Sequence, residues 1–242
     1  MDLQIPKNLV LGYSQVSDGA MSFVYGDTVE VLAQRKRFLD KNGVDMSKSV
    51  CMRLEHDTNI ADISSKDLGA NMESLEEKLL VDALITTEGN IGLMSLTADC
   101  LPIVIYDDKT HTLALVHCSW KNTSEMFVGK VLKHLRDKYR VVISDTQVVI
   151  GPSIRQESYG FEDLSQKNDP NWQPFLEQQD GKYHIDVVGY NIAQMVDSGV
   201  SVGNIQDCGI DTYADTNYFS HRRSQEKGDP EGRMATIVMM TK

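Results

Sequence analysis

Apolar residues in this chain come in short, bounded runs, and the spacing inside each run predicts an element. The clearest pair is Thr97-Ala98-Asp99-Cys100-Leu101-Pro102-Ile103-Val104-Ile105-Tyr106 and His111-Thr112-Leu113-Ala114-Leu115-Val116-His117. Two β-branched, apolar stretches around the polar Asp107-Asp108-Lys109-Thr110 predict a β-hairpin. With Asp108-Lys109 at its tip, 107 pairs with 110 and Cys100 lies opposite His117, at a Cβ separation of about 4.5–5.5 Å. Residues 82–86 and 91–96, around Glu88-Gly89-Asn90, predict a second hairpin. Shorter runs predict a strand over 50–54 ending near His56, one over Gln147–Ile150, and a closing strand over Met234–Met240.

Helical spacing appears in three places. Asp27-Thr28-Val29-Glu30 has the form of a capping box, followed by Val31, Leu32, Phe38 and Leu39 on one face and Asn42-Gly43 as a stop. Thr123-Ser124-Glu125 is expected to cap a helix carrying Phe127, Val131, Leu132 and Leu135. Asp186 opens another with Val188, Ile192, Met195 and Val196, stopping at Ser198-Gly199. Residues 61–80 read as loop plus a short helix at 72–80. Strands joined mostly by hairpins, with three helices between them, predict an α/β (α+β) fold of mixed sheets covered by helices, in one domain over residues 1–242.

Charge narrows the function. The chain has 35 acidic against 24 basic residues, a formal net charge of −11, which argues against non-specific binding to nucleic acid or anionic membrane. No apolar window approaches a membrane span and no N-terminal targeting pattern is visible, so a soluble cytoplasmic protein is expected. Four scattered cysteines (51, 100, 118 and 208) do not make a disulfide framework, and none forms a Cys-x-x-Cys pair. Buried filler is the default role for each.

The chemistry-bearing residues beyond Cys100 are His56, His117 and the basic cluster Tyr218-Phe219-Ser220-His221-Arg222-Arg223, followed by Gly228 to Arg233 in a glycine-bearing loop. Each has a plain structural alternative. A lone histidine is usually hydrogen-bonded or at the surface, Trp120 usually packs in a core, and two arginines are usually solvated or ion-paired. Cys118 points to the strand face opposite His117 and is expected in the core. His111, His134 and His184 suggest no function.

Read in order, Thr97-Ala98-Asp99-Cys100-Leu101-Pro102, His117-x-x-Trp120, Gly151-Pro152-x-Ile154, Phe219-Ser220-x-Arg222-Arg223 and Gly232-Arg233-Met234-Ala235 resemble the laccase-domain family of the YfiH type. That family was first described as multicopper polyphenol oxidases and later as purine nucleoside phosphorylases. Residues 82–86 match the family's strand before the cysteine motif, and the resemblance extends over nearly the whole chain. It implies sheets packed face to face with helices outside. It also implies His56, Cys100 and His117 as ligands of one zinc ion. Several positions depart from the family's pattern. The first motif reads Leu54-Glu55-His56-Asp57, the third places Lys121 where an arginine is usual, and Asp211-Thr212 stands for cysteine-threonine.

Two imidazoles and a thiolate with an open fourth position are the pattern of a catalytic zinc site, and the same donors suit copper. The implied activity is zinc-dependent phosphorolysis of inosine, guanosine, adenosine or methylthioadenosine, with adenosine deamination as a side activity. Purine nucleosides and phosphate are then the partners, and Lys121, Arg222 and Arg223 are expected to hold phosphate beside the catalytic Cys100 and His117. Asp99 is a candidate proton carrier for deamination. The rival readings are a copper-dependent polyphenol oxidase, a cysteine amidase acting on peptidoglycan precursors with Cys100 as nucleophile, and a non-catalytic metal-binding protein. Six histidines without His-x-His pairs are few for a multicopper centre. Oligomeric state is not legible.

Overall fold

Residues 3–74 and 79–241 are described in the computed structural model. In chain order its elements begin with β1 (Leu9–Tyr13), α1 (Thr28–Lys41), β2 (Ser49–Cys51), β3 (Ile60–Asp62), β4 (Ala83–Thr86) and β5 (Gly92–Thr97). Then come β6 (Leu101–Asp107), β7 (Thr112–Cys118), α2 (Trp120–Ser124), α3 (Phe127–Tyr139) and β8 (Gln147–Ile150). The chain closes with β9 (Gly160–Phe161), β10 (Leu176–Gln179), β11 (Lys182–Ile185), α4 (Val187–Asp197), β12 (Ile205–Asp207), α5 (His221–Lys227) and β13 (Met234–Met240). A six-stranded sheet has the order β12-β8-β6-β7-β4-β3, a four-stranded one β1-β13-β5-β2, and a small one β10-β11-β9.

The two larger sheets pack face to face. Leu84, Val104, Tyr106, Leu113, Leu115 and Val149 of the first meet Leu9, Val50, Leu93, Val238 and Met240 of the second. The outer face of the six-stranded sheet presents Ile103, Ile105, Ala114 and Val116 to Phe127, Val131, Leu132 and Leu135 of α3 and to Val188 and Met195 of α4. Phe38 and Leu39 of α1 cover Met94 and Ile237 on the outer face of the other sheet. These central strands are therefore buried on both faces, which is why they read as continuous apolar runs instead of alternating ones. The expected arrangement of face-to-face sheets covered by helices is the one observed.

Local details differ: β1, β3 and β9–β12 were not legible as strands, the strand expected over 50–54 ends at Cys51, and the pairing and caps change as well. Residue 107 pairs with 112, so Pro102 and not Cys100 faces His117. The loop is two residues longer than the tightest turn allows. A shift of two keeps every side chain on its original face, and Cys118 duly lies in the core against α3 while His117 points between the sheets. The second expected hairpin does not form. β4 pairs with β3 and β7, β5 pairs with β13 and β2, and the 87–91 segment carries the chain from one sheet to the other. Two apolar strands separated by a turn carry no local mark of which neighbour they will take.

The cap expected at Thr123-Ser124-Glu125 lies elsewhere. Ser119 caps a separate short helix, α2, and α3 starts after Met126 in a left-handed conformation (φ 59°). With α2 and α5 the described residues hold five helices where three were expected. Asp27 and Asp186 do cap α1 and α4, each accepting backbone N–H bonds. Of the helix expected at 72–80, residues 75–78 lie outside the described ones.

Candidate metal centre

Three segments meet at one end of the space between the two large sheets. His117 is the penultimate residue of β7, on its inter-sheet face. Cys100 sits in the crossing from β5 to β6, just before β6 begins. His56 comes from the loop between β2 and β3. One donor atom from each of His56, Cys100 and His117 lies within 4.8 Å of the other two, and the two imidazole centroids are 5.0 Å apart, edge on. The structure thus brings together the three residues picked from sequence, although the strand register that suggested the pairing is shifted.

Asp82, immediately before β4, organises two of the three. Its fully buried carboxylate accepts from His117 Nδ1 at 2.7 Å and from the backbone N–H groups of His56, Asp57 and Glu55 at 3.1, 3.0 and 3.3 Å. A carboxylate only accepts, so Nδ1 of His117 carries a proton and Nε2 is the nitrogen left to bind a metal. Nε2 is buried and has no hydrogen-bond partner among the described residues. A ring fixed through Nδ1 with a bare, inward Nε2 is the usual state of a metal-ligating histidine. The His56 backbone is left-handed (φ 57°), a conformation uncommon outside glycine. The bonds to Asp82 hold it there. Asn122 adds a second tie, donating to the carbonyls of His117 and Asp57.

Cys100 is held by its predecessor. Asp99 has φ 83°, and its two oxygens accept from Thr212 Oγ1 and from the Arg222 backbone N–H, both at 2.7 Å. Asp99 is thereby occupied as an anchor rather than aimed at the site as a proton carrier. Burial pushes the Cys100 thiol up, but the adjacent charges of His117 and then His56 outweigh it and pull it down to about 6. Burial disfavours the His117 imidazolium, yet Cys100 and Asp82 together raise it to about 9. Without metal each group therefore favours the charged form of the other. A soft thiolate and two imidazoles fit a tetrahedral zinc or copper ion with one position left open.

The donors open into a cavity of about 280 Å³ whose walls include Leu54, Trp120, Lys121, Tyr159, His221 and Arg233. A second cavity of about 300 Å³ shares Leu54, His56, Leu96 and Arg233 with it and extends to Phe23, Tyr25 and Asn71. Together they are of the size that small-molecule ligands use, roughly 300–1,000 Å³. No Asp or Glu of the described residues lines either one.

Among the expected phosphate residues, only Lys121 lines the cavity. Arg223 is buried, with its guanidinium spent on Asp229 and the carbonyls of Thr212, Tyr213 and Tyr218. Arg222 packs over Phe161 at 4.4 Å, bonds to Gly160 and Glu226, and lies behind Tyr159. Neither arginine reaches the cavity, because α5 turns both toward the protein. Sequence reasoning gave Asp82 no role, although it is a charge at the head of an apolar strand that matches the family's pattern. His221 and Arg233 stood inside the basic cluster read from sequence but were given no role there.

The family described as multi-copper polyphenol oxidoreductase laccase matches residues 12–241. A protein of Bacteroides thetaiotaomicron named purine nucleoside phosphorylase is 30% identical over 226 residues, covering 90% of this chain and 83% of that protein. The Bacillus subtilis protein named purine nucleoside phosphorylase YlmD is 27% identical over 224 residues, covering 90% of this chain and 80% of its own length. Among solved structures, YlmD from Geobacillus stearothermophilus superposes with a TM-score of 0.90 at 23% identity, over 98% of this chain and 93% of that one. Bacillus licheniformis YfiH gives 0.87 at 21% identity, over 96% and 93%.

Proposed function

The chain belongs to the multi-copper polyphenol oxidoreductase laccase family, and from that premise we propose that it is a zinc-dependent purine nucleoside phosphorylase. The observation that carries this reading is the buried, unpartnered Nε2 of His117, fixed by Asp82 and aimed between Cys100 and His56. Such a constellation holds one metal ion. Among the described residues it is the one group of three such donors, which favours a single-metal enzyme over multicopper oxidation. The names of the relatives at about 30% identity point the same way.

His56, Cys100 and His117 would hold the ion, and a zinc ion with an open position supplies Lewis acidity. The rest falls to the chain. The flat walls of Trp120 and Tyr159 suit a purine ring. In phosphorolysis a lone pair on hydrogen phosphate forms the new O–C1′ bond. The C1′–N9 bond breaks, its electrons stay with the base, and the phosphate proton ends on the base. A cavity whose described lining residues, the metal donors apart, are cationic or neutral suits an anionic attacker such as phosphate, which favours phosphorolysis. Cys100 acts here as a metal ligand and not as the nucleophile of an amidase.

The test is the purified protein with its metal measured, incubated with inosine, guanosine, adenosine and methylthioadenosine with and without phosphate. The expected result is about one zinc per chain and release of free base together with ribose 1-phosphate, dependent on phosphate. Base release at the same rate without phosphate, or none from the zinc-loaded protein, overturns the proposal.

A further inference from the structure

The two cavities that share His56 have cationic walls although the chain is strongly acidic. Arg35 and Arg53 line one, Lys121 and His221 the other, and Arg233 lines both. Random placement of 35 acidic side chains against 24 basic ones would put carboxylates there as well. An enclosed pocket of one sign concentrates ligands of the opposite sign, even when the distant field repels them.

Arg233 is held as a binding group is held. It packs over the Tyr25 ring with its Cζ 4.3 Å from the centroid and donates from Nη2 to the Tyr25 hydroxyl at 2.8 Å. Nη1 donates to Glu231 and to the Gly232 carbonyl. Glu231 stays outside the cavity walls and also bonds His221 Nδ1 at 3.0 Å, so one carboxylate fixes both cationic residues. Burial pushes the Glu231 carboxyl up, but Arg233 and its other partners outweigh this and hold it down to about 2, keeping that anchor ionised. A guanidinium has five N–H groups. The three bonds above leave Nε–H and one Nη2–H without a described partner, two donors on neighbouring nitrogens. Such a pair matches two oxygens of a phosphate.

We propose that Arg233, set by Glu231 and Tyr25 and flanked by His221 and Lys121, is the subsite for inorganic phosphate, a role the Arg222-Arg223 motif cannot fill. The proposal rests on the phosphorylase reading for its place in the reaction, while the binding of a tetrahedral oxyanion at Arg233 is a separate property. Phosphate bonded there would stand across the shared cavity from His56, with the nucleoside between it and the aromatic walls.

The experiment uses the zinc-loaded full chain in two arms. Equilibrium binding of inorganic phosphate is measured by calorimetry for the parent, Arg233→Gln, Arg233→Lys and Arg222→Ala. The KM values for phosphate and for inosine are measured alongside, with zinc content and thermal midpoint as controls. Arg233→Gln is expected to raise both the phosphate Kd and the phosphate KM by about tenfold or more, with zinc content unchanged. Arg233→Lys keeps the charge without the fork and gives a smaller rise in the same two quantities; it is the deciding variant if Arg233→Gln does not fold. Arg222→Ala leaves both within about twofold.

If Arg233→Gln binds phosphate as the parent does while the parent phosphorolyses inosine, the subsite is wrong and the phosphorylase reading stands. If the parent binds phosphate through Arg233 but cleaves no nucleoside, the subsite stands and the phosphorylase reading fails. A parent that binds adenosine monophosphate but not inorganic phosphate overturns the subsite, since the site then recognises an esterified phosphate.

Discussion

Replacing Asp82 by Asn removes the carboxylate that holds two of the three candidate metal donors, and its effect can be worked from the contacts. One oxygen accepts from His117 Nδ1 and the His56 N–H, the other from the N–H groups of Glu55 and Asp57. An amide keeps one acceptor oxygen and turns a donor toward the other pair. If the oxygen stays on the His117 side, His56 keeps its bond but Glu55 and Asp57 on either side of it lose theirs, and the loop that carries His56 loosens. If the amide flips, His117 loses the acceptor that fixes its tautomer. Either way about two charge-assisted bonds of ~1.5–3 kcal/mol each are lost, so the metal-free fold should weaken by roughly 3 kcal/mol or more. Zinc affinity should fall about 10–100-fold, or ~1.4–2.7 kcal/mol. The assay is competition for zinc against a chromogenic chelator, beside urea unfolding of the metal-free proteins. Leu84→Ala is the control, since Leu84 is fully buried two residues along and its truncation costs about 2–5 kcal/mol without touching a ligand. Zinc affinity within about threefold of the parent in Asp82→Asn, or an equal loss in Leu84→Ala, would refute the reasoning.

Cys100→Ala should abolish zinc binding and turnover while leaving the far-ultraviolet circular dichroism intact, whereas Cys118→Ala, whose sulfur lies in the core against α3, should keep its zinc; atomic absorption on the two proteins decides. The thermal midpoint of the metal-free protein should stay nearly level between about pH 6 and 9, because the two shifts at the site act in opposite directions there. The lowered Cys100 value contributes stability that is lost as pH falls through about 6, and the raised His117 value contributes stability that is lost as pH rises through about 9. Arg223→Ala should cost about 3–5 kcal/mol by leaving Asp229 and three carbonyls without their donor, with the phosphate KM of any folded fraction unchanged. A stable Arg223→Ala protein with a raised phosphate KM would return that residue to the site.

Sequence alone determined the sheets covered by helices, while the face-to-face packing and the candidate donors His56, Cys100 and His117 followed from the family resemblance. Runs of apolar residues long enough to be buried on both faces required sheets covered on both sides. The loop is longer than expected by two residues, an even number, so Cys100 and His117 stayed on one face and the error in register did no harm to the site, where a slip of one would have parted them. The caps at Asp27 and Asp186 are local chemistry, satisfied within three residues, and were legible for that reason. What the sequence left open depends on contacts between segments far apart. Whether β4 pairs with β5 or each joins a different sheet is settled by competing partners such as β7 and β13, and no residue between 86 and 92 records the outcome. Asp82 becomes the keystone of the site only because the 55–57 loop and β7 both fold onto it. The direction of each arginine is decided the same way. Arg222 and Arg223 sit in the more conspicuous motif, but α5 commits them to Gly160, Glu226, Asp229 and loop carbonyls, while Glu231 and Tyr25 turn Arg233 along the cavity. A side chain's partners across the fold, more than its neighbours in the chain, fix which way its charge points.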